Sequence, residues 1–418
     1  MIDNVELKNN LTSLEKSGNV AIMISDGNGG YVESEDTIYP TDMLYNAEKS
    51  GCIDLNGNKI SNALTYSEDE YTIRSGETCY CYLYFDVDKS FVIFSETDNS
   101  LRFYNNDDYD NISVGDTYNN ILVSNIYKAV QTNEYIYDYE KNEYTTPWYN
   151  YAEQINKVIV EDVLKPKSMD IWFIDFKNVT YMNLNNLDTS NVKSMLNAFG
   201  SCAKNSTTLE IYGLEKFNTE NVESLQGTFM HFGYSLEKFD IDLTNWNTEK
   251  VTNMYGTFIA TGYSATEFSL GDLTNWNTSN VLDMNNMFLH TGNTATEFYV
   301  GNLGNWDVSK VTNMLMMFQG CGYQSKKVNL GDLSKWNTEN VEDMSQMFAY
   351  LGSVATELNM GNISNWNTKN VTTMKLMFIN VGLYANWSMN LSNWDVSKVT
   401  DYTDFSNNSN LIQPTWVN

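Results

Sequence analysis

The sequence predicts an α/β solenoid in which repeats of about 30 residues stack a parallel sheet, preceded by a small β-rich domain. One tryptophan recurs at a constant interval and once at a slightly shorter one, at Trp246, Trp276, Trp306, Trp336, Trp366 and Trp394. The residue types around it also recur, as in LTNWNTSNVLDMNNMF and LGNWDVSKVTNMLMMF. Such a fixed period is the signature of a repeat architecture.

The repeats extend beyond the tryptophans in both directions. Two earlier copies carry weaker residues in the tryptophan position: Leu187 opens LDTSNVKSMLNAF, and Phe217 opens FNTENVESLQGTF. Eight copies therefore run from Leu187 to Phe405. The last copy is degraded, which is typical of a capping repeat. We assign residues 187–418 to the repeats and their carboxy-terminal cap.

The remainder of the chain divides into two parts. Residues 1–125 contain strand-like runs such as CYCYLYFDV and SFVIFSE, separated by turn signals, and are predicted to form a β-rich domain for attachment or docking. Residues 126–186 are first rich in tyrosine and asparagine and then apolar. We expect them to form a linker and the amino-terminal cap that covers the first repeat.

Each repeat should begin with a strand just before its tryptophan. In TEFYVGNL, Phe298 and Val300 alternate with Glu297 and Tyr299, so the two pairs face opposite sides of a strand. The apolar pair is predicted to point into the repeat. The polar pair is predicted to point outward.

A turn, a short helix and a glycine should follow the strand. The Asn or Asp and the Thr or Val after the tryptophan suit a turn. Val281, Met284 and the Met287–Phe288 pair have the spacing of one buried face of a short helix. A glycine then releases the chain, at Gly233, Gly262, Gly292, Gly322, Gly352 and Gly382.

Stacking is required because one repeat cannot bury its apolar side alone. The six tryptophans and the methionines are therefore predicted to be structural core. Stacking also aligns equivalent threonines into a polar ladder, at Thr248, Thr278, Thr338 and Thr368.

The charge excludes one class of partner and leaves calcium open. With 53 acidic and 25 basic residues, the net charge of −28 repels nucleic acid, and the simplest role of this excess is solubility. The best calcium candidates are DGNGG at Asp26 and the run at Asp107, Asp108 and Asp110. Neither has a calcium loop's spacing and closing glutamate, so we expect turns or solvated loops.

The cysteines and the hydropathy indicate no covalent scaffold and no membrane insertion. Cys52, Cys79, Cys81, Cys202 and Cys321 are few and scattered, and we interpret them as buried thiols. The sequence has no apolar stretch long enough to span a membrane, no recognisable signal peptide and no sorting motif. It is therefore expected to carry no route of its own to a cell surface.

Catalysis is not predicted, and neither a cofactor nor a metal is expected. The two histidines, His231 and His290, occupy equivalent positions two repeats apart. Stacked strands would separate them by about 10 Å, which is too far to share a metal or a proton. No phosphate-binding glycine loop, zinc spacing or activated nucleophile is recognisable.

The motifs carry a family resemblance. From about Trp148 onward, PWYNYAEQINKVIVEDVLKP, LDTSNVKSM and NWDVSKVTNMLMMF resemble the BspA-type leucine-rich-repeat surface proteins of bacteria. The resemblance implies an extracellular, non-enzymatic, leucine-rich-repeat-like solenoid used for adhesion or recognition. The repeats here are longer than the usual repeats of that family, and residues 1–125 lie outside the resemblance.

Two functions follow as expectations. The first is a surface or secreted adhesin that binds a protein or glycan on a host or neighbouring cell. The second is a phage or prophage virion protein, such as a tail or head fibre, a receptor-binding or a decoration protein. Its amino-terminal domain would dock to other virion proteins, and the missing leader favours it.

If the repeats bind a partner, the outward strand side chains should form the surface; the alternative is that the same row is only solvated. This row contains Glu267, Ser269, Glu297, Tyr299, Lys327, Asn329, Glu357 and Asn359.

Overall fold

The computed structural model describes most of the chain, in two compact units. The described residues are 20–25, 30–33, 43–54, 58–60, 64–67, 70–73, 80–131, 136–138, 143–408 and 411–416. The first unit comprises residues 1–90 and 128–133, and the second comprises residues 91–127 and 134–418. In the described ranges the regular structure consists of short strands and 3₁₀ helices.

The first unit is built around one long central strand. Its strands are β1 (Val20–Ser25), β2 (Tyr31–Glu33), β3 (Met43–Tyr45), β4 (Gly51–Ile53), β5 (Lys59–Ile60), β6 (Leu64–Ser67), β7 (Glu70–Ile73) and β8 (Tyr80–Val87). Strand β8 pairs in parallel with β1 and antiparallel with β3 and β4, while β6 and β7 pair with each other. Residues 81–85 of β8 are buried on both faces, as a central strand requires.

A disulfide joins two strands of this sheet, which corrects the interpretation of every cysteine as a thiol. Cys52 on β4 lies directly opposite Cys81 on β8, and the two are bonded. Sequence spacing could not reveal this pair, because only the strand register brings the residues together. Cys202 and Cys321 are buried free thiols, as expected. Cys79 lies outside the described residues.

The second unit begins earlier than the sequence suggested. Its first strands are β9 (Ser90–Ser95), β10 (Ser100–Asn105), β11 (Thr117–Tyr118), β12 (Ile121–Leu122), β13 (Asn125–Lys128), β14 (Ile136–Asp138), β15 (Glu143–Thr145), β16 (Lys157–Val160), β17 (Tyr181–Asn183) and β18 (Glu210–Tyr212). Strands β13, β9, β10, β16, β17 and β18 form one sheet in that order.

Strand β10 pairs in parallel with β16, which pairs with β17, so β9, β10 and β13 share a sheet with the first repeats. The boundary expected between residues 125 and 126 therefore does not coincide with the division seen in the structure. Aromatic rings fill the space beneath this sheet. The Phe103 ring centroid lies 5.3 Å from that of Trp148 and 5.6 Å from that of Trp172.

The later repeats contribute short strands and 3₁₀ helices. The strands are β19 (Lys238–Asp240), β20 (Glu267–Ser269), β21 (Glu297–Tyr299), β22 (Lys327–Asn329), β23 (Glu357–Asn359), β24 (Met389–Asn390) and β25 (Leu411–Ile412). The 3₁₀ helices of the chain are Asp107–Asp110, Tyr149–Tyr151, Leu214–Lys216, Leu273–Asn275, Leu303–Asn305, Leu333–Lys335 and Ile363–Asn365.

Successive repeats pair in parallel. Strand β19 pairs with β20, and β22 pairs with both β21 and β23. A second line of contacts, one parallel bridge per repeat, joins equivalent residues without interruption at Ser194, Ser224, Asn253, Asp283, Asn313, Asp343, Thr373 and Asp401. Residues one period apart in the sequence are thus neighbours in space.

The predicted helix after each turn is absent, which corrects that part of the α/β assignment. Val281, Met284, Met287 and Phe288 are buried as expected, but their segment is a series of turns. Successive N–H groups of this segment alternate between acceptors in the next repeat and acceptors in the same repeat. The N–H of Asn286 donates to the Leu315 carbonyl of the next repeat, whereas the N–H of Met287 donates to the Met284 carbonyl of its own repeat.

Positive φ angles at Asn286 and His290 also interrupt any right-handed helix. The spacing of buried residues is the same for a helix and for these turns, so it could not distinguish them. In the described residues no α-helix is found.

The tryptophans are core residues, as predicted, and each also donates a hydrogen bond. The indole Nε1 of Trp306 donates to the Leu273 carbonyl of the preceding repeat at 2.9 Å, and Trp336 repeats the contact to Leu303 at 2.8 Å. These carbonyls open the 3₁₀ helices. Neighbouring rings stack, with 6.4 Å between the centroids of Trp276 and Trp306. Each of these tryptophans thus supplies apolar surface and also a hydrogen-bond donor for a buried backbone carbonyl of the preceding repeat.

Polar residues complete the contact between repeats. The predicted threonine ladder is confirmed: Thr278 Oγ1 donates to the Asp307 carbonyl of the next repeat at 2.9 Å, and Thr338 donates to that of Asn367 at 3.0 Å. The recurrent glycines also take the expected role, since Gly292 has a φ of 52°. Residues other than glycine rarely adopt that backbone conformation.

A cluster of three aromatic rings lies at the end of the last repeat. The Trp416 ring stacks on Tyr402 with centroids 4.3 Å apart and meets Phe405 edge-on. Strand β24 pairs with β25 instead of with β23. The sheet of β21–β23 therefore does not continue into the degraded copy.

Trp306→Ala should lower the free energy of unfolding by about 3–5 kcal/mol, because a buried indole and its hydrogen bond are lost in mid-array. Urea denaturation followed by circular dichroism measures the change. Tyr384→Ala is the matched control, since this aromatic side chain is 72% exposed. Equal, small effects of both substitutions would contradict the core role of Trp306.

Candidate binding surface

The outward strand side chains of three repeats form one continuous surface. The registers of β21, β22 and β23 align Glu297 with Lys327 and Glu357, and align Tyr299 with Asn329 and Asn359. The intervening residues Phe298 and Val328 point inward and are buried. Six of the eight residues predicted for this surface are therefore together on one paired sheet.

The other two predicted residues lie in a neighbouring pair of strands. Glu267 and Ser269 are on β20, which pairs with β19. Lys238 on β19 lies 3.6 Å from Glu267 and 3.3 Å from Asp240. This pair of strands presents mainly charged groups that are already matched.

Lys327 forms ion pairs with two glutamates of the main surface. Its Nζ lies 3.5 Å from a Glu297 carboxylate oxygen and 3.9 Å from one of Glu357. All three side chains are at least half exposed, so each ion pair contributes little to stability. Their importance is local, because one ammonium group offsets part of the charge of two carboxylates.

The asparagines have defined orientations. Asn329 Oδ1 accepts from the Gly331 N–H at 2.9 Å and from Asn359 Nδ2 at 2.9 Å. Asn359 Oδ1 accepts from the Gly361 N–H at 3.2 Å. These bonds stabilise the turn after each strand and fix which end of each amide is the donor.

A depression of about 630 Å³ lies over this surface. Tyr299, whose side chain is 48% exposed, lines it together with Lys327, Asn329 and Asn359. Asn386, from the next repeat, also lines it. Sequence reasoning missed Asn386, although the shortened interval between Trp366 and Trp394 marks this repeat as irregular.

The histidines form a separate aromatic row. His231 and His290 flank Tyr234 and Tyr263, whose rings stack with centroids 4.5 Å apart. Burial lowers the pKa of both histidines, so both are neutral at pH 7. Within the described ranges, no group of three or more His, Cys, Asp or Glu side chains could hold a metal ion.

The acidic run considered for calcium forms a short 3₁₀ helix at Asp107–Asp110. Asn106 caps it by accepting from the Asp108 N–H at 3.0 Å, and Tyr118 donates its hydroxyl to Asp108 at 2.9 Å. Asp108 thus serves the local fold, as a turn residue does. The other candidate, at Asp26, lies outside the described residues.

These features define a strand-rich protein with repeated segments that pair side by side. Residues 167–295, 259–381 and 292–416 each match one family model, described as Mycoplasma protein of unknown function, DUF285. Together they span residues 167–416, more than half of the 418-residue chain. The chain therefore belongs to this family.

Neither the curated proteins nor the solved structures contain a match to this chain. Among the described residues, no helix has the length and apolar character needed to cross a membrane.

Proposed function

We propose that the chain is a non-enzymatic recognition protein exposed outside the cell. In this proposal its repeats form one leucine-rich-repeat-like solenoid, and the outward faces of β21–β23 bind a protein or glycan on a cell surface. The resemblance of the repeats to BspA-type surface proteins supports the class. The unbroken line of parallel bridges from Ser194 to Asp401 supports the solenoid.

The observation that carries the proposal is the depression over three strands held in register. Binding surfaces are concave and present a few fixed polar groups beside apolar or aromatic ones. Here Tyr299 supplies a half-exposed ring, and the amides of Asn329 and Asn359 are fixed by hydrogen bonds to each other and to the turns. These side chains are not needed to fill the core.

The disulfide supports a location outside the cytoplasm. Disulfides such as Cys52–Cys81 persist in oxidising surroundings and are rare where thiols are kept reduced. The bond lies in the first unit, for which we propose an attachment role. A surface assembly or a virion would satisfy this condition.

Location is tested by labelling intact source cells, permeabilised cells and purified particles with an antibody against the repeats. We expect labelling of intact cells without permeabilisation, because the binding surface must be reachable from outside. Labelling confined to released particles would favour the virion component over the adhesin. Labelling only after permeabilisation would contradict both.

Binding is tested with the purified protein on intact epithelial and bacterial cells by flow cytometry. A triple variant, Glu297→Lys, Tyr299→Ala and Glu357→Lys, removes the ring and breaks both Lys327 ion pairs. We expect binding to fall about tenfold or more, while the thermal midpoint stays nearly unchanged because all three side chains are exposed.

The matched control makes the same kinds of change on the outward face outside the predicted row: Glu210→Lys, Tyr212→Ala and Asp240→Lys, the last of which breaks an ion pair with Lys238. Tyr212 is 46% exposed, so the loss of aromatic area is comparable. The control should bind as the unaltered chain does. Equal losses in both variants would indicate a nonspecific charge effect, and unaltered binding in both would place the site elsewhere.

A further inference from the structure

The ionic groups around the depression largely satisfy one another. Lys327 lies between Glu297 and Glu357, so two carboxylates and one ammonium leave a local net charge of −1. The whole chain carries −28. An anionic ligand would therefore be repelled, and Lys327, the cation among the residues that line the depression, is already engaged. The chemistry left for recognition is neutral.

The neutral groups are carboxamides and one phenol ring. We use the name Tyr–Asn depression for Tyr299, Asn329, Asn359 and Asn386. Asn329 Oδ1 receives two hydrogen bonds, whereas its Nδ2 has no partner among the described residues. Asn359 keeps a second hydrogen on Nδ2, and Asn386 adds an exposed amide from the next repeat. Donors and acceptors thus line the same depression as the ring.

This combination matches a sugar. A pyranose ring presents hydroxyl groups that both donate and accept, which is the capacity of a carboxamide. It also has a face of C–H bonds that can lie on the electron-rich face of a phenol ring. Tyr299 is on the same register line as Asn329 and Asn359, so ring and amides can contact one ligand.

Protein partners fit the depression less well. The centre of a protein interface is typically apolar and depleted of charge. Here the charged side chains of Glu297, Lys327 and Glu357 lie beside the Tyr299 ring. That ring is the large exposed hydrophobic side chain of the depression. The volume of about 630 Å³ lies within the usual range of small-ligand sites, about 300–1,000 Å³.

We infer that the Tyr–Asn depression binds a neutral oligosaccharide. This inference rests on the function proposed above and names the ligand class of the same surface. Asn329, Asn359 and Asn386 bond the hydroxyl groups, and Tyr299 packs against the C–H face of one sugar ring. Acidic sugars are disfavoured by Glu297 and Glu357.

The first test is a printed array of oligosaccharides in pairs, each neutral chain beside its sialylated form, probed with the labelled protein. We expect binding to one or more neutral members and weaker binding to each sialylated partner. Isothermal titration with the strongest neutral oligosaccharide then compares variants. Asn329→Ala/Asn359→Ala should weaken binding about tenfold or more.

Asn183→Ala/Asn185→Ala is the matched control, because Asn185 Nδ2 donates to Asn183 Oδ1 at 2.8 Å in a similar exposed pair beside β17. It should leave affinity unchanged. Both variants lose amide oxygens that accept from a turn N–H, so both should show a similar, small drop in melting temperature and remain folded. Preferential binding of sialylated chains would overturn the inference.

The second test uses the cell-binding assay after treating the cells with mild periodate, which oxidises sugar diols, or with trypsin. Binding that requires Tyr299 and is lost after periodate supports a glycan. Binding that requires Tyr299 but survives periodate and is lost after trypsin overturns the glycan and leaves the recognition function intact. Binding that does not depend on Tyr299 overturns both.

Discussion

Hydrogen bonding between equivalent backbone positions of adjacent repeats is the interaction on which the rest of this structure depends. In the turn segment of one repeat, alternate N–H groups cannot be satisfied locally. Asn286 donates to Leu315, and Phe288 donates to Met317, both in the next repeat. Unpaired buried amides would each cost about 1–3 kcal/mol. A single repeat therefore has no stable form by itself, and the constant sequence period is a hydrogen-bonding requirement.

The side chains reinforce the same contact. The indole of Trp306 donates to a backbone carbonyl of the preceding repeat, whereas Thr278 donates to a carbonyl of the following one. The repeat that carries Trp276 and Thr278 is thus bonded in both directions by side chains that are also buried. Because these contacts occupy the inward side and the turns, the outward strand positions are free to vary. That freedom allows the exposed side chains to differ from one repeat to the next on a regular scaffold.

Much of this could be predicted from the sequence, for identifiable reasons. The alternation of Glu297, Phe298 and Tyr299 determined which side chains face outward, and the period determined which of them are neighbours. The Lys327 ion pairs then follow from register alone. Burial of Val281 and Met284 was also predictable, but their conformation was not. Helices and consecutive turns bury residues at the same spacing. The left-handed position of Asn286 is filled by Met316, Gln346 and Leu376 in later repeats, so no residue type marks it.

Three other features could not be predicted without knowledge of the fold. Cys52 and Cys81 are brought together by strand order, which spacing does not reveal. The sheet extends back through β10 to β9 and β13 because β10 pairs with β16, although the composition changes between them. Asn386 reaches the depression only because the last repeat departs from the pattern. Each concerns a contact that the repeat period does not determine, whereas the correct predictions rest on alternation within a strand or on the period between repeats.

The most direct test of the stacking account is an exact deletion of one repeat. Removing residues 307–336 joins Trp306 to Asn337, so every remaining contact between repeats meets an equivalent partner. The account predicts a folded chain with a cooperative urea transition and somewhat lower stability. Removing residues 307–321 places unlike positions side by side and should abolish that transition. Equal loss of folding in both deletions, or in neither, would contradict the account.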